Sequence, residues 1–75
     1  MNVVIDTCYT GSQIKKICDE LTISEESFSK KTSISIDKIF SFEKGLEMPS
    51  IEELIIICNI FGKKFDDMIS YEIKN

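Results

Sequence analysis

Seventy-five residues, 43% of them apolar and 29% charged, suit one small soluble domain with a thin stability margin, and exclude a disordered tail. The longest apolar run, Leu54 to Cys58, cannot cross a bilayer, and MNVVIDTCYT has no basic segment before a long apolar stretch, so a cytoplasmic protein without a membrane partner is expected. The net charge of -4 comes from 13 acidic residues against nine lysines, with no arginine; this leaves DNA open as a partner but removes the commonest bidentate reader of guanine.

Residues 2–5, NVVI, fit a short strand or a disordered arm equally well, and residues 1–10 are read as an N-terminal extension ahead of a domain over 11–75. Gly11 and Ser12 are expected to open a first helix that places Ile14, Ile17, Cys18 and Leu21 on one face at i, i+3, i+4 and i+7. Ser24 is a good N-cap for a second helix reaching about Lys31. Glu25 and Glu26 sit in its first turn and Lys30 and Lys31 in its last, as the helix dipole favours, with Phe28 and the small Ser29 inward. Ser35 can cap a third helix that turns Ile39 and Phe42 inward and stops at Lys44, with Gly45 free to turn left-handed.

After the break at Met48 and Pro49, Ser50 and Glu53 form an S-x-x-E capping box ahead of an apolar helix, Ile51 to Phe61, which Gly62 ends. A last helix over about Phe65 to Tyr71 has Asp66 and Asp67 at its start and Phe65, Met68 and Ile69 to bury. Five helices with short connections predict an all-α globule. Three cysteines form no CxxC pair, and no histidine is present to complete a zinc set, so neither metal nor cofactor is expected. Cys18 and Cys58 fall on apolar stripes and read as core; Cys8 reads as an unplaced reduced thiol.

Two short helices, SEESFSKK and SIDKIFSFE, flank the three-residue link TSI, with a small residue late in the first and a cap opening the second. This is the helix-turn-helix pattern. From Ile14 to Ile69 the chain resembles the lambda repressor-like, Cro-type (XRE) helix-turn-helix family. Ile23, Ser24, Phe28 and Ser29 stand where that family has Leu, Thr or Ser, Leu and Ala, and Ile34, Ser35 and Ile39 match its Val, Ser and Ile. Phe42, Glu43, Lys44 and Gly45 correspond to Trp/Ile-Glu-Asn-Gly, and Met48, Pro49, Ser50 and Ile51 to x-Pro-Ser-Leu. Phe61 and Gly62 match its Leu-Gly, and Phe65 and Asp66 its Leu-Asp.

The resemblance implies a small transcription regulator of phage or bacterial repressor type, a homodimer on double-stranded DNA, with helix 36–43 in the major groove. Carried over by position, the DNA-binding residues are Glu25, Ser35, Ile36, Asp37, Lys38, Phe40, Ser41 and Lys44. The carry-over has departures: Glu25 replaces a frequent Gln, and Cys18 replaces an Arg that usually pairs with the glutamate at position 43, so Glu43 lacks its expected partner. Ile56 replaces a charged residue and is expected at the surface, as a dimer contact or an isolated apolar side chain.

Two functional readings remain at this point. In the first, Ser35, Lys38, Ser41 and Lys44 contact phosphates and bases, Asp37 accepts from a cytosine amino group, and Ile36 or Phe40 meets a thymine methyl; Lys15, Lys16, Lys30 and Lys31 add positive edge. In the second, Ile36 and Phe40 form an apolar patch ringed by Glu25, Glu26 and Asp37, suited to a partner repressor protein in an antirepressor-like role. Phe40 tucked into the core beside Phe42 is the structural alternative. The acidic pairs are explained by helix dipoles, and no nucleophile or cofactor motif accompanies them, so an enzyme is not expected.

Overall fold

A computed structural model describes all residues, 1–75. The chain runs β1 (Asn2–Ile5), α1 (Thr7–Leu21), α2 (Glu25–Thr32), α3 (Ile36–Glu43), α4 (Ile51–Phe61), α5 (Phe65–Met68) and β2 (Tyr71–Lys74). β1 and β2 pair antiparallel, Asn2 opposite Lys74 through Ile5 opposite Tyr71, so the fold is mostly helical rather than purely all-α. The last helix is correspondingly a single turn, and the chain is extended from Tyr71 onward. NVVI is a strand because it finds a partner almost seventy residues away, which no local pattern encodes.

The helix caps follow the sequence closely. Ser24, Ser35 and Ser50 each accept the backbone N–H three residues on, and Glu53 returns the bond to the Ser50 N–H, completing the capping box. Gly45 and Gly62 take left-handed φ values of 72° and 66°. α1 differs: it begins at Thr7, capped by the Asp6 carboxylate accepting from the Tyr9 N–H at 3.0 Å, which makes Gly11 an interior residue. The reason for a glycine there is a close crossing. A Cβ at position 11 would lie 2.0 Å from the Phe42 carbonyl oxygen, so only a glycine lets α1 rest against the end of α3.

One core holds the five helices together, with Ile14, Ile17 and Cys18 of α1, Phe28 of α2, Ile34 of the turn, Ile39 and Phe42 of α3, Leu54 and Ile57 of α4, and Met68 of α5. Phe28 also stacks on Phe61, ring centres 4.7 Å apart, tying α2 to α4. The buried Thr10 hydroxyl donates to the Met68 carbonyl at 2.7 Å and so joins α1 to α5. Two expected core residues lie elsewhere: Leu21, beside the left-handed Thr22 that ends α1, is 53% exposed, and Phe65, on the one-turn α5, is 37% exposed. No helix is long and apolar enough to cross a membrane.

Candidate nucleic-acid interface

The turn between α2 and α3 is locked by side chains as well as by the cap. Ser33 takes a left-handed φ of 61°, and Ile34 drops into the core. Thr32, itself buried, donates from its hydroxyl to the Phe28 carbonyl at 2.9 Å and accepts from the Ile34 N–H at 3.2 Å. The Ser29 hydroxyl donates to the Ile34 carbonyl. Both backbone groups of Ile34 are therefore satisfied by hydroxyls of α2, which fixes the angle at which α3 leaves the turn. Ser29 was legible as the small residue the packing needs; Thr32 was not singled out, since its role depends on burial.

α3 divides cleanly by face. At 3.6 residues per turn, Ile39 and Phe42 point to one side, and Ile36, Asp37, Phe40, Ser41 and Lys44 share an arc of about 140° on the opposite side. Ile39 and Phe42 are fully buried, whereas Asp37, Phe40 and Lys44 are exposed and Ile36 and Ser41 half-buried. Phe40 is 41% exposed, so it does not tuck into the core with Phe42. Ser35 is exposed at the N-terminus of the helix. Five of the eight candidate residues thus share the outward arc, and Ser35 caps the helix at its start.

The other two, Lys38 and Glu25, lie on the flanks and are engaged. Lys38 faces α4 and its Nζ donates to Glu53 Oε2 at 2.9 Å; this hydrogen bond to Glu53 and the charge of the carboxylate raise the lysine's pKa. Burial works against ionisation of Glu53, but the hydrogen bonds from Lys38 and the Ser50 N–H together outweigh it and lower its pKa. Glu25, half-buried at the start of α2, lies 3.8 Å from Lys15 Nζ and beside Glu43. Lys30 pairs with Glu26 at 3.6 Å, whereas Lys16, Lys31 and Lys44 have no ion-pair partner.

Glu43, on the other flank of α3, reaches neither a lysine nor Gln13. Its Oε2 is buried and receives no hydrogen bond from a protein donor. Carboxylate oxygens of Glu43 and Glu25 and the Cys18 Sγ lie within 4.8 Å of one another. Two carboxyl groups this close resist being ionised together. Burial, then the hydrogen bond to Glu25 and its charge, push Glu43 up to about 7. The backbone N–H at the start of α2, then the hydrogen bond from Glu43, hold Glu25 below the usual carboxylate range. Burial and the two carboxylates push the Cys18 thiol up to about 11. A protonated thiol and a Glu43 carboxyl that resists ionisation leave Glu25 as the main charge of this cluster, with Lys15 beside it, at the position where the family resemblance implied an arginine pair.

The largest cleft, about 660 Å³, lies between the β1–β2 ribbon and the start of α1, with Cys8, Gly45 and Tyr71 in its walls, away from the outward face of α3. None of the three cavities is lined by Ile36, Asp37, Phe40, Ser41 or Lys44, so that face offers no pocket for a small ligand.

Residues 14–68 match the model of a helix-turn-helix family. The chain is also similar to an uncharacterised HTH-type transcriptional regulator of Methanocaldococcus jannaschii, 34% identical over 50 residues that cover 67% of this chain and 76% of the relative. No solved structure matches it. With α2, the turn and α3 inside the matched span and arranged as described, the chain belongs to the lambda repressor-like helix-turn-helix family of transcription regulators.

Proposed function

We propose that this protein regulates transcription by binding double-stranded DNA with the outward face of α3 in the major groove, as a homodimer on an inverted repeat in the cytoplasm. The observation that carries the reading is the split of α3 into a buried Ile39–Phe42 side and an opposed, outward side bearing exposed Asp37, Phe40 and Lys44 with half-buried Ile36 and Ser41. On that side Lys44 is free to meet a phosphate, Asp37 to accept from a cytosine amino group, and Ile36 or Phe40 to contact a thymine methyl; Ser35 and Ser41 supply hydroxyls for phosphate or base edges. Lys31 and Lys16, both unpaired, add positive charge at the margin.

Lys38 and Glu25 hold a different place in this reading. Each is already bonded within the protein, so they set the position of α3 and α2 rather than supply affinity. The net charge of -4 resides mostly outside the groove face, where Asp37 is the one acidic side chain directed outward from α3. Fluorescence anisotropy against random-sequence duplex DNA, at low and then physiological salt, tests the reading. Binding that fades as salt rises is expected. No binding even at low salt would overturn it and direct attention to a protein partner for Ile36 and Phe40.

A further inference from the structure

All eight residues of β1 and β2 are exposed. Paired residues of an antiparallel ladder share a face, as do alternate residues along each strand. The register therefore puts Val3, Ile5, Tyr71 and Ile73 together on one face, and Asn2, Val4, Glu72 and Lys74 on the other. The first face is apolar throughout, each of its four side chains between 52% and 60% exposed. A two-stranded ribbon is marginal by itself in water, and its open edges carry unpaired backbone groups.

The ladder also fixes which backbone groups are free. The Asp6 N–H donates to the Ser70 carbonyl at 2.8 Å. Every second residue of an antiparallel strand directs its N–H and C=O across the ladder, and those between direct theirs away. Ser70, Glu72 and Lys74 thus face β1, and Tyr71 and Ile73 present their backbone groups to the open edge of β2.

We propose that the open edge of β2 pairs antiparallel with β2 of a second copy of this chain, about a twofold axis at Ile73, joining two ribbons into a four-stranded sheet. Ile73 then exchanges both backbone bonds with Ile73 of the partner subunit, as its outward N–H and C=O require. Glu72 stands opposite Lys74 of the partner subunit, and Lys74 opposite Glu72 of the partner subunit. One symmetry operation creates both attractive pairs, the hallmark of a self-complementary edge. The neighbouring registers are opposed: an axis at Glu72 sets two glutamates face to face, and one at Lys74 two lysines. In the matched register Ile73 lies beside its counterpart and Tyr71 stands opposite Asn75 of the partner subunit, so the two apolar faces meet at Ile73 on the same side of the sheet. No outward residue of α3 takes part.

This inference rests on the dimeric reading above, but its register is independent of DNA. Sedimentation velocity without DNA on the wild-type chain, Glu72→Lys, Lys74→Glu and the double exchange tests it, with circular dichroism to match the folds. All the substituted side chains are exposed, so the core is untouched. A wild-type dimer is expected, weakened at least about tenfold in each single variant, where like charges meet twice, and recovered in the double exchange. A wild-type monomer, single variants that dimerise as well as wild type, or a folded double exchange that stays monomeric would each overturn it; the second result would point to the exposed Ile51, Ile55, Ile56 and Ile60 of α4 instead. Anisotropy on the same samples separates the two readings: monomers that still bind DNA sink the ribbon alone, and dimers that ignore DNA sink the DNA reading alone.

Discussion

Lys38 on α3 donates to Glu53 on α4 at 2.9 Å, and Glu53 in turn closes the capping box of its own helix with the Ser50 N–H. One carboxylate thus ties α3 to the start of α4. The lysine that looked like a DNA contact by position is turned to the flank of α3 and neutralised there.

Lys44 and Lys38 should therefore separate in a salt titration. Lys44→Ala is expected to weaken DNA binding and flatten the plot of log affinity against log salt by about one, the loss of one phosphate contact. Lys38→Ala should leave the slope unchanged. Equal flattening in the two variants would return Lys38 to the DNA surface.

The Glu43–Glu25 pair makes stability depend on pH in a defined direction. Between about pH 4.5 and 7 the unfolded Glu43 is ionised while the folded one keeps its proton, so the folded state binds more protons and stability falls as pH rises, levelling above about 7. Glu25, with its lowered pKa, acts in the other window: its contribution is present above about 4.5 and is lost on further acidification. Lys15 and Asp19 of α1 supply the remaining local charges, and the Cys18 thiol lies beside the pair. Glu43→Gln should flatten the upper window and raise stability at pH 8 by on the order of 1 kcal/mol, allowing for partial exposure. Urea melts at pH 5, 6.5 and 8 measure this; a wild-type protein that gains stability over that range would contradict it.

Gly11→Ala should be severe, above about 3 kcal/mol, because the added methyl meets the backbone carbonyl of Phe42 and cannot be accommodated by a side-chain rotation. Gly62→Ala is the control: nothing lies within 4 Å of its Cβ, and only the left-handed φ of 66° opposes it, so about 1–2 kcal/mol is expected. Denaturant midpoints of the two variants decide whether the α1–α3 crossing is as tight as described.

The two phenylalanines of α3 should part company as well. Phe42→Ala empties a fully buried site and is expected to cost about 3–5 kcal/mol. Phe40→Ala should change stability by less than about 1 kcal/mol yet reduce DNA affinity, as a contact on the outward face. Thermal melts paired with anisotropy check both; a strongly destabilised Phe40→Ala would place that ring in the core.

What the sequence disclosed and what it hid divide along range of interaction. Ser24, Ser35, the Ser50–Glu53 box and Gly62 act on backbone within a few residues, and their positions alone located four helix ends. The helix-turn-helix pattern was legible for the same reason, since the small Ser29, the short TSI link and the Ser35 cap are all local signals. Gly11 misled because a glycine needed for close packing looks like a glycine that starts a helix. NVVI and YEIK gained their strand character from each other, across nearly the whole chain. The partners of Lys38 and Glu43 came from different helices, and spacing along α3 could not name them.

The central claim is that the outward face of α3 meets DNA, and the most direct test is the backbone amide spectrum of the 15N-labelled protein titrated with a short duplex at low salt. Salt-reversible shifts concentrated over residues 35–44 and at the start of α2 are predicted. Shifts confined to α4, α5 or the ribbon, or no shifts at all, would contradict it.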